Sequence, residues 1–414
     1  MEKFRGKTTI VPEYHDNQLQ TGASTTMSRF IALLFAAACG MAVANIYYAH
    51  PLLDELSHEF QIDYSTIGII ITITQICYAL GLLLLVPLGD LLNQRQLIIG
   101  QMLLSVAALI VIGFANSSTA LFIGMAMVGM LASVTQTLVA YASTLSAPAE
   151  RGSIVGFVTS GVVIGILLSR VFAGILTDIG GWRLVYLTSA TLMLFIVSLL
   201  YKKLPNPKQN KTSMSYPKLL RSVLLLFIHE RILLVRGILA LLIFISFSTL
   251  WTSLVLPLSS TPYFLQHSAI GAFGLAGVAG ALAATRAGRL ADKGLGQRTT
   301  GISLALLLLS WFLISLIHYS LFVLIIGIIL LDLAVQAVHV TNQSMIFTVR
   351  PEARSRLTAA YMIFYSIGSA TGSIASTNIY ATYGWNGVCL LGASVSALAF
   401  LFWVLTSHLT KQEK

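Results

Sequence analysis

The chain has 414 residues, 56% of them apolar and only 10% charged, with a formal net charge of +10 and a mean hydropathy of +0.84. A water-soluble domain carries roughly 25% charged residues, so this chain cannot solvate its own outer surface in water, whereas a bilayer requires an apolar one. A soluble enzyme is thereby excluded.

In chain order, residues 1–27 are polar and mixed and read as a cytoplasmic tail. The apolar run 28–48 follows, near the ~20 residues that cross the hydrocarbon at 1.5 Å per residue. Ala42-Val43-Ala44 resembles a signal cleavage site, and Phe35 to Cys39 faintly resembles a lipoprotein site. The run nevertheless continues through Asn45, Ile46, Tyr47 and Tyr48, and removing it would leave an odd number of spans, so it is expected to be retained. Further runs lie at 66–86, 97–115, 119–142, 153–177 and 184–201. The segment 202–231 is polar with two prolines at first; its later part suits an interfacial helix. The second set is 233–256, 267–288, 301–318, 321–347, 357–380 and 385–407, with a tail at 409–414. The expected fold is an all-α membrane protein of twelve transmembrane helices, with six-helix bundles at 28–201 and 232–408 joined by a cytoplasmic loop at 202–231.

The charge distribution orients the chain. Lysines and arginines gather at the N-terminus (Lys3, Arg5, Lys7, Arg29), at Arg95, at Arg151, over 202–231 with Arg236 just beyond, over 286–298, over 350–356 and at the C-terminus. The alternate loops carry Asp54, Glu55, Glu59, Asp63 and Asp178, with Arg183 as their one cation. The basic residues thus mark one side, which the positive-inside rule makes cytoplasmic, together with both termini. The net charge is topological and implies no nucleic-acid partner. Cys39, Cys77 and Cys389 all lie in apolar runs, at spacings that suit neither a metal site nor a disulfide framework.

The two halves repeat. Pro148 and Arg151 recur as Pro351 and Arg354, 203 residues on, and the same offset relates Gly165 to Gly368 and Gly181-Trp182 to Gly384-Trp385. Asp90 pairs with Asp292 and Arg95 with Arg298 in the corresponding loops. Six spans per half is an even number, so the repeats are parallel.

The segment from Gly288 through Asp292 to Gly296 closely resembles the G-x-L-A-D-[RK]-x-G loop motif of the major facilitator superfamily, its last glycine one residue late. The counterpart from Val86 through Asp90 to Arg95 has Val86 where glycine is usual and Asn93 for the second glycine, a substitute expected to tolerate a left-handed turn. Within the superfamily the chain looks most like the drug/metabolite:proton antiporter branch, which includes arabinose-efflux-permease-like and nucleoside-efflux-like proteins. The stretches 148–152 and 331–343 carry that likeness. The resemblance implies alternating access and a gate at Asp90, Arg95, Gly288, Asp292 and Arg298, where an aspartate meets a helix N-terminus and basic side chains. It also implies that the first, fourth, seventh and tenth spans line a central cavity. Two departures stand out: Ile166 follows Gly165 where a proline is usual, and the arginine common in the fourth span is missing.

Polar side chains inside a membrane are costly and mark function. Asp332, Gln336, His339 and Gln343 form one stripe of the tenth span, within about 60° on a helical wheel. Asp332 and His339 are candidates for proton coupling, Gln336 and Gln343 for substrate contact; a buried, hydrogen-bonded aspartate that fixes packing is the other reading. Arg170 could receive an anionic substrate group or a counter-charge, or snorkel to the surface. Asn45 and Tyr48, Thr74, Gln75 and Tyr78, Gln136, Trp251, Tyr361 and Tyr365 complete the candidates for a polar organic ligand.

The expected function is proton-coupled efflux of a small sugar, nucleoside or drug-like molecule from a bacterial inner membrane, by a monomer without cofactor or metal. Proton-symport uptake is the alternative, and a non-transporting sensor or a membrane enzyme ranks below it. No H-E-x-x-H, P-loop or dense acid cluster supports an enzyme.

Overall fold

A computed structural model describes residues 28–147, 150–204, 215–347 and 354–407. Among them there are helices and no strands, as lipid demands of a chain whose backbone polar groups must pair within their own segment. Ser28 opens α1 (Arg29–Tyr47), its hydroxyl accepting from the Phe30 amide. A 3-10 turn at His50–Leu52 leads into the short α2 (Leu53–Phe60). Then come α3 (Ile69–Leu84), α4 (Gln94–Gly113), α5 (Ser118–Leu131), α6 (Val134–Leu145), α7 (Arg151–Gly180) and α8 (Trp182–Lys203). The later part of 202–231 forms the helix α9 (Tyr216–His229). The second half holds α10 (Arg231–Ser253), α11 (Val255–Ser259), α12 (His267–Ala272), α13 (Gly277–Leu290), α14 (Gly296–Ser315), α15 (Leu321–Phe347) and α16 (Arg354–Thr406).

Ten described helical segments are long and apolar enough to cross a membrane. The last of them, α16, is two arms that reverse at Gly384, where φ is +64°. Gly372 in the first arm packs on Ile245, and Ser396 in the second bonds to Ser246. In a straight helix those two contacts would lie about 36 Å apart, so the chain must fold back between them.

Two expected spans are broken. The fourth is divided at Ala132–Ser133, where the Thr135 and Gln136 amides reach carbonyls only three residues back and the Ser133 hydroxyl bonds to the Met130 carbonyl. That is a 3-10 tightening of the helix. The eighth is α12, a 3-10 turn at Phe273–Ala276, and α13. Glycines explain it: a Cβ on Gly271 would overlap the Arg170 carbonyl, and one on Gly277 would overlap Leu167. The segment is pressed so closely against α7 that regular helix gives way.

Two further expectations are corrected. Asn93 is not left-handed; it is extended (φ −62°, ψ 113°) and caps α4 by accepting from the Gln96 amide. In the second copy of the motif the left-handed residue is Gly294, at φ +76°. Arg236 does not join the surface cations. It is fully buried and donates to Thr300 Oγ1 (3.1 Å) and Asn342 Oδ1 (3.2 Å), tying α10 to α14 and α15.

The internal repeat reappears in the packing. Gly161 and Gly165 of α7 lie on Ala36 and Gly40 of α1, and Gly368 and Gly372 of α16 lie on Leu241 and Ile245 of α10. A Cβ on Gly161 would overlap the Ala36 carbonyl, whereas one on Gly156 of the same helix would meet nothing within 4 Å. Gly161→Ala should therefore lower the thermal stability of the detergent-purified protein, by about 1–3 kcal/mol. Gly156→Ala should leave it unchanged or raise it. Equal melting curves for the two variants would contradict this packing.

Candidate functional site

Three helices from both halves bring their charges to one indole. Trp251 of α10 donates from Nε1 to Asp332 Oδ1 of α15 at 3.1 Å. On the face of the same ring lies Arg170 of α7, its Cζ 3.7 Å from the centroid. Tyr47 (5.4 Å) and Phe247 (5.7 Å) complete an aromatic surround. Both Arg170 and Asp332 are buried, at 2% and 3% exposure, which excludes the snorkelling reading for Arg170. Tyr47 and Tyr365 share a hydrogen bond between their hydroxyls, linking α1 to α16.

The remaining candidates fall around this centre unevenly. Gln336, His339 and Gln343 continue from Asp332 along α15 and are half-buried. His339 Nδ1 meets the Tyr361 hydroxyl at 3.0 Å, with its ring edge-on to Phe244. Tyr365 packs against Phe244, ring centroids 4.0 Å apart. Gln75 is buried and its Oε1 has no hydrogen-bond partner among the described residues; Gln136 is in hydrogen-bond contact with Tyr78. Asn45 and Tyr48 turn away from the centre. Asn45 Oδ1 accepts from Ser189 at 2.7 Å, and Tyr48 packs on Phe172 and Tyr186, all within the first half. The tyrosine at the centre is Tyr47, one position and 100° of helix away. A helical wheel that placed Arg170 opposite α1 would have found it.

At the face that carries α9, a cleft lies between the halves, lined by Val86, Pro87, Thr137, Leu219, Val223 and Arg356 among others. The side chains of Asp90 and Asp292 lie outside the described residues, as do Pro148 and Pro351. Arg95 donates from Nη2 to the Tyr201 carbonyl (2.6 Å) and lies over the Tyr201 ring. Arg298 is exposed, and Gly288 is half-buried beside Val340.

At the opposite face the halves meet. Thr72 of α3 donates to the Ala370 carbonyl of α16 at 3.0 Å, and Gly68 packs on Ser373. His267, the first residue of α12, faces two carboxylates of the other half: Nε2 to Asp54 at 3.1 Å and Nδ1 to Asp178 at 3.5 Å. Asp178 also accepts the His267 and Ser268 amides, at 3.1 and 2.9 Å, so an acid on α7 caps α12. Both imidazole nitrogens donate only when the ring is protonated, and the two facing carboxylates favour that form.

The family model described as Major Facilitator Superfamily matches residues 30–301 and, in an overlapping second match, 237–414. Over 377 residues the chain is 45% identical to the uncharacterized transporter YgaY of Escherichia coli O157:H7, covering 91% of this chain and 95% of that one. It is 24% identical over 367 residues to a "Probable sugar efflux transporter" of Mannheimia succiniciproducens, covering 86% and 88%. A solved bacterial homolog of the human lysosomal transporter Spinster, in an inward-facing and occupied conformation, superposes with a TM-score of 0.73 at 14% identity. The overlap covers 93% of this chain and 98% of that one, a likeness of fold.

The contacts of His267 predict how the face opposite α9 responds to pH. A cysteine placed at Ile270, in a chain with Cys39, Cys77 and Cys389 replaced by alanine, reports opening there. His267→Ala or Asp178→Asn should raise its labelling by a membrane-impermeant maleimide several-fold. With His267 present, labelling should rise as pH goes from about 6 to about 8 and the ring loses its proton, after correction for the reagent's own pH dependence. Labelling indifferent to both would remove the contact from the closure.

Proposed function

The chain belongs to the major facilitator superfamily and is a multi-pass membrane transporter, not an enzyme; from that premise we propose proton-coupled efflux of a small polar or amphiphilic molecule by alternating access. The observation that carries this reading is the buried acid of α15, held by an indole of α10 beside a cation of α7. A charge switch lying between two moving bodies senses their relative position. Proton arrival at Asp332 removes one of the two charges around Trp251, which changes the stability of the contact between halves.

The moving bodies are residues 28–201 and 232–408, joined by 202–231. Both termini and α9 face the cytoplasm of a bacterial inner membrane, a placement supported by the clustering of lysine and arginine on that side. The cleft beside α9 is then the cytoplasmic mouth, and the His267 contacts seal the outside. Gln75, Gln136, Gln336, Gln343, Trp251 and Tyr365 offer amides and rings to the substrate. His339 and Tyr361 extend the proton route toward the cytoplasm. Asn45 and Tyr48, satisfied within their own bundle, serve packing. A single chain encloses the whole site, so a monomer suffices. The relative named as a sugar efflux transporter supports the outward direction.

A second reading is favoured by one feature. Because Arg170 and Asp332 share an indole, an anion at Arg170 and a proton at Asp332 would neutralise the site together, the arrangement of a symporter. Counterflow in vesicles of known orientation separates the two directions.

Proteoliposomes loaded with a pH-sensitive dye test the coupling. Sugars, nucleosides, carboxylates and amphiphilic cations are applied in turn, and a transported compound should change internal pH. Asp332→Asn should reduce that change to background while the protein still purifies as a folded species. Undiminished proton movement in the variant would overturn the coupling.

A further inference from the structure

Arg170 is the least satisfied buried charge described in this chain. Its Nε and Nη2 have no hydrogen-bond partner among the described residues, and no carboxylate lies within ion-pair distance of it. Nε and Nη2 form one edge of the guanidinium, the edge that grips a planar carboxylate through two parallel hydrogen bonds. The rings of Trp251, Tyr47 and Phe247 offset part of the burial, since a desolvated cation–π contact contributes about 2 kcal/mol. Burying an uncompensated ion costs several kcal/mol, so aromatic contact alone leaves a deficit. Asp332, across the indole, offsets part of that charge but makes no bond to the guanidinium, its Oδ1 being taken by Trp251 Nε1.

Beside the guanidinium is a cavity of about 10 Å³, enough for about one water-sized group such as a carboxylate oxygen, lined by His50, Pro51, Trp251, Leu254, Val255 and Ile270. It is mostly apolar and holds one cation. The open edge of the guanidinium suits a monoanion; a phosphate dianion would bring a second negative charge into the same apolar wall, beside Asp332.

We propose that Arg170 is the carboxylate-binding residue of the transport site, and that the substrate is a small monocarboxylate whose apolar or aromatic body lies along Trp251. This deepens the proposed transport function through its second reading, in which an anion meets Arg170 while a proton meets Asp332, and rests on the substrate binding between the halves. The Nε–Nη2 edge fixes the carboxylate, and the ring wall selects the remainder of the molecule by shape.

Binding to the purified full-length protein in detergent tests this without any flux. Acetate, butyrate, benzoate and phenylacetate are titrated against thermal unfolding, with benzamide and phenylacetamide as neutral matches and phenyl phosphate as the dianion. Benzoate or phenylacetate should raise the melting temperature in a saturable way, and the amides should not. Arg170→Lys, which keeps the charge and loses the fork, should weaken binding by about tenfold, and Arg170→Gln by about 100-fold. Arg183→Gln, remote from the site, should bind as the parent does. If Arg170→Gln fails to fold, the lysine variant and the carboxylate–amide comparison on the parent still decide. Stabilisation by the amides equal to that by the acids, by phenyl phosphate alone, or by none of the compounds would overturn the proposal. Proton-coupled transport of a neutral or cationic compound would leave the proposed function standing without it; carboxylate binding with no flux of any compound would do the reverse.

Discussion

Helices in lipid gain nothing from burying apolar surface against each other, because the lipid tails are equally apolar; close backbone approach must hold them together. Several of the tightest helix contacts among the described residues pass through glycine. Gly40, Gly161 and Gly165 join α1 to α7, Gly81 and Gly129 join α3 to α5, and Gly368 and Gly372 join α16 to α10. The same constraint builds the site. A Cβ on Gly274 would come within 3.1 Å of the Arg170 side chain, and one on Gly277 within 3.1 Å of Asp332 Oδ2. The broken eighth span is therefore the wedge that lets two opposite charges approach one indole from either side. Packing and chemistry are two consequences of one row of glycines.

The two buried arginines show why placement alone does not define function. Arg236 donates to Thr300 and Asn342, and the Asn342 amide returns a bond to the Arg236 carbonyl. Its charge is built into three helices of one half, where it resists motion. Arg170 has rings around it and an open donor edge, and it faces the other half. Buried ions paired by neutral hydrogen-bond acceptors fix a structure; one left short of acceptors favours whatever supplies them.

The apolar runs located the helices because bilayer thickness sets their length and little else competes with it. The α15 stripe was equally legible, since four polar side chains on one helical face have no place in lipid. Rotation about a helix axis was harder to read. Tyr47 and Tyr48 are chemically alike, and only the position of α7 decides which one meets Arg170. Arg236 was grouped by charge with the cations of one side, and charge alone does not tell burial; the acceptors that hold it inward, Thr300 and Asn342, come from α14 and α15, remote in sequence. Asn93 was misjudged for a different reason. Asparagine suits both a left-handed turn and a helix N-cap, and the residue type does not choose between them.

The two faces of the molecule differ in what each can contribute to a conformational change. The ion contacts at His267 are partly exposed, and such pairs are each worth at most about 1 kcal/mol. Inverting a two-state population from 1:99 to 99:1 needs about 5.5 kcal/mol. The His267 contacts can bias that balance and can make it pH-dependent, but they cannot drive it. The desolvated charges around Trp251 operate on the larger scale, because adding or removing one partner of a buried ion changes its energy by about 3–5 kcal/mol. Under the proposed function, control of the cycle therefore belongs to the centre, where proton and substrate would arrive, and the face opposite α9 follows.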